Sequence, residues 1–135
     1  MGLRFNHLVN EEEAFRMNAL QLAYLGDCVW ETIVRYDLVV RNLKVHHLHE
    51  QSIRIVNAAA QARMLESVRQ ELTEREAEIV RRGRNAHPKH AAPRNQQPED
   101  YAAATAFEAL FGYLYISGQD ERIARLVRIM KEKEH

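Results

Sequence analysis

Two acidic side chains stand where hydrocarbon is expected. Asp27 lies inside LAYLGDCVWE, Leu22 to Glu31, where eight of ten residues are apolar or glycine, and Glu108 lies inside TAFEALFGYLY. At helical spacing the one-turn neighbours of Asp27 are Ala23, Tyr24, Trp30 and Glu31, and those of Glu108 are Ala104, Thr105, Phe111 and Gly112. A buried carboxylate without a partner costs several kcal/mol, so both positions demand compensation. Three forms are open: a basic side chain beside each acid, a carboxyl that stays protonated, or one cation shared by both. Small neighbours such as Ala23, Ala104 and Gly112 leave room for a hydrated Mg²⁺ and a phosphate, which an ion pair would not need. The acids are far apart in sequence, and spacing alone does not bring them together.

A second chemical feature is cationic. From Ile79 to Pro98 there is no acidic residue, while Arg81, Arg82, Arg84, Lys89 and Arg94 stand beside Asn85, His87 and His90. This is the only strong charge asymmetry in a chain of zero formal net charge, so a polyanion would have to be held locally. The plain alternative is a solvated helix end with its cations set against the helix dipole. HHLHEQS, His46 to Ser52, places three histidines in four residues, but they cannot all point one way and no cysteine joins them. Tyr24, Trp30, Phe107, Phe111, Tyr113 and Tyr115 could stack on bases, yet their helical setting favours packing in a core or between subunits. Cys28 is the only cysteine, which excludes an internal disulfide and any multi-cysteine metal centre.

The elements that must position these residues are helices. Glycine and proline number five and three, and no apolar/polar alternation persists, so strands have little support and an all-α fold is expected. Asn10 with Glu13 three residues on reads as a capping box opening helical sequence to about Val40, with a break allowed. Asn42 to His49 reads as a connector. A helix is then expected from Glu50 to Leu72, with Ile53, Val56, Ala60, Met64 and Val68 on one buried face. Thr73 with Glu76 caps a third helix to about Arg84, and the segment at about 84–98, which holds all three prolines, reads as a basic loop. Pro98 suits the first position of a helix that stops at Gly118, and Asp120 caps a last one with Ile123, Leu126, Val127 and Met130 on one side.

At 135 residues one domain, 1–135, is expected. The N-terminus lacks the apolar core of a signal peptide, and no stretch approaches the roughly 18 apolar residues of a membrane span. A cytoplasmic protein without a membrane partner is the expectation.

YLGDCVWE resembles the signature helix of the ribonuclease III family, and TAFEALFGYLY resembles that family's second acidic segment. Their separation and the segment RRGRNA at Arg81 to Ala86 look like the small Mini-ribonuclease III subclass, with similarity from about Asn18 to Met130. The resemblance implies an all-helical ribonuclease III-like endonuclease domain acting as a homodimer. It also implies Mg²⁺ as cofactor, with Mn²⁺ able to substitute, hydrolysis of double-stranded RNA to 5′-phosphate and 3′-hydroxyl ends, and a ribosomal RNA precursor as the cellular partner.

Asp27 and Glu108 fall on the family's catalytic, metal-binding acids, with Glu31, Thr105, His49 and Ser52 as supporting candidates. Arg81, Arg82, Arg84, Asn85, His87, Lys89, His90 and Arg94 are the RNA-binding candidates. The longer members carry an acid where this chain has Ala23 and another where it has Thr105, so fewer protein carboxylates remain for metal. They also carry a separate RNA-binding domain, which is not expected here. The competing reading within the fold is a catalytically inactive, dimeric double-stranded RNA-binding protein. A helical nucleotide hydrolase or plain interaction bundle has thinner support, since no His-Asp dipeptide occurs.

Overall fold

The computed structural model describes residues 9–86 and 97–134. Its regular elements are helical: α1 (Glu11–Phe15), α2 (Ala19–Val40), α3 (Val45–Val56), α4 (Ala58–Val68), α5 (Glu74–Asn85), α6 (Pro98–Ile116) and α7 (Asp120–Lys133). A single 3-10 turn, Arg69–Glu71, follows α4.

Side-chain caps explain most of the boundaries. Asn10 and Glu13 exchange the reciprocal bonds of a capping box, at 2.8 and 3.2 Å, and Thr73 and Glu76 do the same at 3.1 and 2.9 Å. The break allowed near the N-terminus falls at Asn18, whose Oδ1 accepts from the backbone of Leu20 at 2.8 Å and starts α2. The expected helix from Glu50 to Leu72 is divided. Asn57 Oδ1 accepts from Ala60 N at 2.8 Å while its Nδ2 donates to Arg54 O at 2.9 Å, so one side chain closes α3 and opens α4. The division breaks the expected stripe: Ala60, Met64 and Val68 of α4 are buried and Val56 at the end of α3 packs half-buried against the core, whereas Ile53 is exposed. The connector is also shorter than its sequence suggested, because α3 begins at Val45. Pro98 does open α6, and Gly118, at φ +75°, allows the turn that ends it. Asp120 is the first helical residue of α7, with Gln119 at the cap position.

α6 is the centre of the molecule. It is apolar on nearly every side, with Ala103, Ala104, Ala106, Phe107 and the run from Ala109 to Leu114 buried, so it must be surrounded by helices. α2, α4 and α5 pack against it, and α7 closes over α4. Where α2 crosses α6 the backbones nearly touch. A methyl group on Gly26 would overlap the carbonyl of Glu108 and stand 2.8 Å from the Gly112 nitrogen, and one on Gly112 would overlap the carbonyl of Leu22. Gly83 admits α5 in the same way, at Ala106 and Ala109. Beyond the crossing, Trp30 packs edge-on to Phe107 at 4.9 Å and against Phe111 at 5.4 Å. Later turns of α2 thus meet earlier turns of α6, and the two helices run in opposite senses.

Trp30, Phe107, Phe111 and Tyr113 are therefore core residues, while Tyr24 is 85 % exposed. No helix among the described residues is long and apolar enough to cross a membrane.

Candidate active site

The close crossing of α2 and α6 decides where the two acids lie. Asp27 follows Gly26 on α2, and Gly26 rests on the backbone of Glu108 itself, so the crossing delivers both carboxyls to one place. The Glu108 and Asp27 carboxyls come within reach of each other there. Burial first, and then the charge of Asp27 and the hydrogen bond to it, push the Glu108 carboxyl up to a pKa of about 8 from 4.5. Below that value Glu108 carries an O–H that can donate to Asp27. Among the described residues neither acid has a basic partner. Of the three forms of compensation left open by the sequence, the raised pKa of Glu108 matches the carboxyl that stays protonated.

The small neighbours have another use than the one expected of them. Gly112 is filled by the approach of α2, so it lets two helices meet instead of leaving space beside the acids, while Ala23 and Ala104 are buried.

Gln61 of α4 also reaches Glu108 and moderates the rise of its pKa. Its Nε2 is buried and completes no hydrogen bond. The sequence did carry a signal for this residue: Gln61, Met64, Leu65 and Val68 recur at i, i+3, i+4 and i+7, and all four are buried, so an amide occupies an apolar stripe.

The supporting candidates have partners or surroundings of their own. Glu31 is ion-paired to Arg35 at 2.7 Å, one turn further along α2. The Thr105 hydroxyl donates to the Tyr101 carbonyl at 3.0 Å, within its own helix. His49 and Ser52 line a crevice of about 340 Å³ between α2 and α3, with Arg35, Leu38, Val39 and Leu48. Among the described residues no three His, Cys, Asp or Glu side chains converge as a metal cage.

The basic candidates differ from one another. Arg82 is structural: its Nη2 donates to Phe15 O at 2.6 Å and its guanidinium stands 4.5 Å over the Phe15 ring. Arg81 forms a two-bond pair with Glu78, at 2.6 and 2.9 Å. Arg84 and Asn85 are exposed at the end of α5. His87, Lys89, His90 and Arg94 lie outside the described residues.

Comparison with known proteins gives the site its context. Residues 20–119 match the family model described as the ribonuclease III domain. The chain is 48 % identical over 110 residues to the Mini-ribonuclease 3 of Symbiobacterium thermophilum, covering 81 % of this chain and 84 % of that one. It is 47 % identical over 112 residues to the Mini-ribonuclease 3 of Brevibacillus brevis, covering 82 % and 83 %. A crystal structure of a Fusobacterium nucleatum protein superposes with a TM-score of 0.80 at 26 % identity, covering 94 % of this chain and all of that one. The match and the superposition together tie this helical bundle to the ribonuclease III domain. The chain belongs to the ribonuclease III family, on the branch of the small Mini-ribonuclease III proteins.

Proposed function

We propose that the protein is a divalent-metal-dependent endoribonuclease that cuts double-stranded RNA, leaving 5′-phosphate and 3′-hydroxyl ends. The observation that carries this reading is the pairing of Asp27 and Glu108 at the α2–α6 crossing without a basic partner among the described residues. Two carboxylates held together at the cost of a displaced pKa are a site waiting for positive charge.

The donor set fits one kind of ion. Mg²⁺ keeps several waters and takes few protein ligands, so two oxygen donors, Asp27 and Glu108, suffice to hold it, with Mn²⁺ able to substitute. Bound there, it would supply the charge that acidifies an attacking water and offsets the negative charge developing on the scissile phosphate. The chain does the rest. Asp27, on an exposed position of α2, presents its carboxylate outward, and Glu108 would hold the ion as a carboxylate, so metal affinity would fall as pH drops below its raised pKa. The bulk of Trp30, Phe107 and Phe111 behind the acids keeps the crossing rigid.

RNA is held on the outside of this crossing. Arg84 and Asn85, continued by the basic segment through His87, Lys89, His90 and Arg94, suit the phosphates and 2′-hydroxyls of an A-form duplex better than its bases. The protein acts as a homodimer: Leu20, Tyr24, Tyr36, Val39, Val40, Val45 and Ile53, the large apolar side chains exposed among the described residues, all lie on α2 and α3. Its cellular substrate is a ribosomal RNA precursor, met in the cytoplasm.

The test is a long RNA duplex incubated with the protein in Mg²⁺ or EDTA, beside Asp27→Asn. Cutting that needs Mg²⁺ and is lost in the variant is the expected result. Duplex binding without cutting by the wild type would instead establish the inactive RNA-binding alternative. In cells depleted of the protein, ribosomal RNA precursors with unprocessed ends should accumulate.

A further inference from the structure

Two polar side chains are fully buried among the described residues, Glu76 and Gln61. Glu76 is satisfied twice over: it completes the Thr73 capping box and takes two bonds of 2.8 Å from Arg122. Gln61 is different. At 1 % exposure it is closed off from water, and its Nε2 donates to nothing. Its stripe-mates Met64, Leu65 and Val68 offer no acceptor, and the group its side chain reaches is the Glu108 carboxyl. An apolar side chain of the same length would fill this place without an orphaned donor, so packing does not explain a glutamine here.

A carboxylate has two oxygens and accepts only. One oxygen of Glu108 can face the cation it shares with Asp27 while the other faces α4, where the Gln61 amide stands ready. We propose that Gln61 is a positioning residue for the metal site: its Nε2 donates to the Glu108 carboxylate when that carboxylate turns to ligate, and fixes it in the ligating orientation. The inference rests on the reading of Asp27 and Glu108 as metal ligands. Partners of this kind, standing behind a ligand, set its orientation, and their loss weakens metal affinity or activity by about 10–100-fold.

Gln61→Met keeps the length and bulk of the side chain and removes the donor. Mn²⁺ alone is titrated into wild type, Gln61→Met and Asp27→Asn and followed by electron paramagnetic resonance, with thermal unfolding in EDTA alongside. Gln61→Met should bind Mn²⁺ at least about tenfold more weakly. Its unfolding temperature should equal or exceed that of the wild type, because the orphaned donor is gone. A purely structural glutamine would show the reverse, a lower unfolding temperature with Mn²⁺ affinity within twofold of wild type, and that result overturns the proposal. If Gln61→Met does not fold, the side-chain amide protons of Gln61 in ¹⁵N-labelled wild type decide: they should shift and exchange more slowly on adding Mg²⁺, and should do neither in Glu108→Gln. Amide signals indifferent to Mg²⁺ in the wild type overturn it. Wild type that binds no Mn²⁺ in an Asp27-dependent way overturns the metal site and this inference together, whereas equal binding by wild type and Gln61→Met removes this inference alone.

Discussion

Replacing Glu108 with glutamine should make the metal-free protein more stable while ending its chemistry. Burial and the adjacent Asp27 hold the Glu108 pKa at about 8, against 4.5 in an unstructured chain. A group whose folded pKa is raised stabilises the fold fully only below its unfolded value, and that contribution is lost as pH rises through the folded value. The window here runs from 4.5 to about 8. Near pH 7 the unfolded carboxyl is almost wholly ionised and the folded one still largely protonated. At about 1.4 kcal/mol for each pKa unit, the wild type is then about 3 kcal/mol less stable than a chain whose residue 108 never ionises. Glutamine is such a residue, matches the shape, and can still donate to Asp27. The gain should raise the unfolding temperature by about 10 °C for a domain of this size. Thermal unfolding in EDTA measures it, at one protein concentration, since association adds stability of its own. The advantage should shrink toward zero near pH 4.5, and excess Mg²⁺ should stabilise the wild type but not the variant. A variant no more stable than wild type near pH 7, or an advantage that does not vary with pH, refutes the account of Glu108 as a carboxyl whose pKa is raised by folding.

Gly26→Ala should destabilise by about 3 kcal/mol or more in urea unfolding, because the added methyl collides with the Glu108 backbone, although in a free helix the same change stabilises by about 0.5–1 kcal/mol. Arg84→Ala should weaken duplex binding for every sequence and reduce the salt slope of binding by about one, read in a filter-binding series, with unfolding temperature unchanged. Arg82→Ala should do the opposite, lowering stability by roughly 1–3 kcal/mol through the lost bond to Phe15 O, a measurement for denaturant titration. Val40→Asp, on the exposed apolar face, should shift sedimentation toward the monomer while leaving helix content by circular dichroism intact.

The local grammar of the chain was legible residue by residue. The Asn10–Glu13 and Thr73–Glu76 boxes, Pro98 at the start of α6 and Gly118 at its end are short-range devices, and each stands where its side chain or backbone freedom requires. Asn57 was missed because an asparagine inside a helical apolar pattern is ordinarily a tolerated surface residue; here it bonds in both directions and divides one expected helix into two. Among the cations, charge density drew attention to the segment after Ile79, but it could not separate Arg82, which is folded over Phe15, from Arg84, which is exposed. Glu31 and Thr105 share helices with the two acids and still bond elsewhere, since i, i+4 pairing and back-bonding to the helix satisfy them locally.

By itself the sequence determined that the chain is helical, that a helix opens at Pro98 and stops at Gly118, and that Asp27 and Glu108 needed compensation, because these follow from composition and from spacing within single elements. Resemblance to the ribonuclease III family supplied their pairing as an expectation. That burial beside Asp27 raises the pKa of Glu108, that glycines 26 and 112 serve the contact between helices, and that Gln61 reaches Glu108 were decided only in three dimensions. Such facts depend on where separate helices cross, and a crossing is fixed by backbone approach between residues that no periodicity along the chain relates.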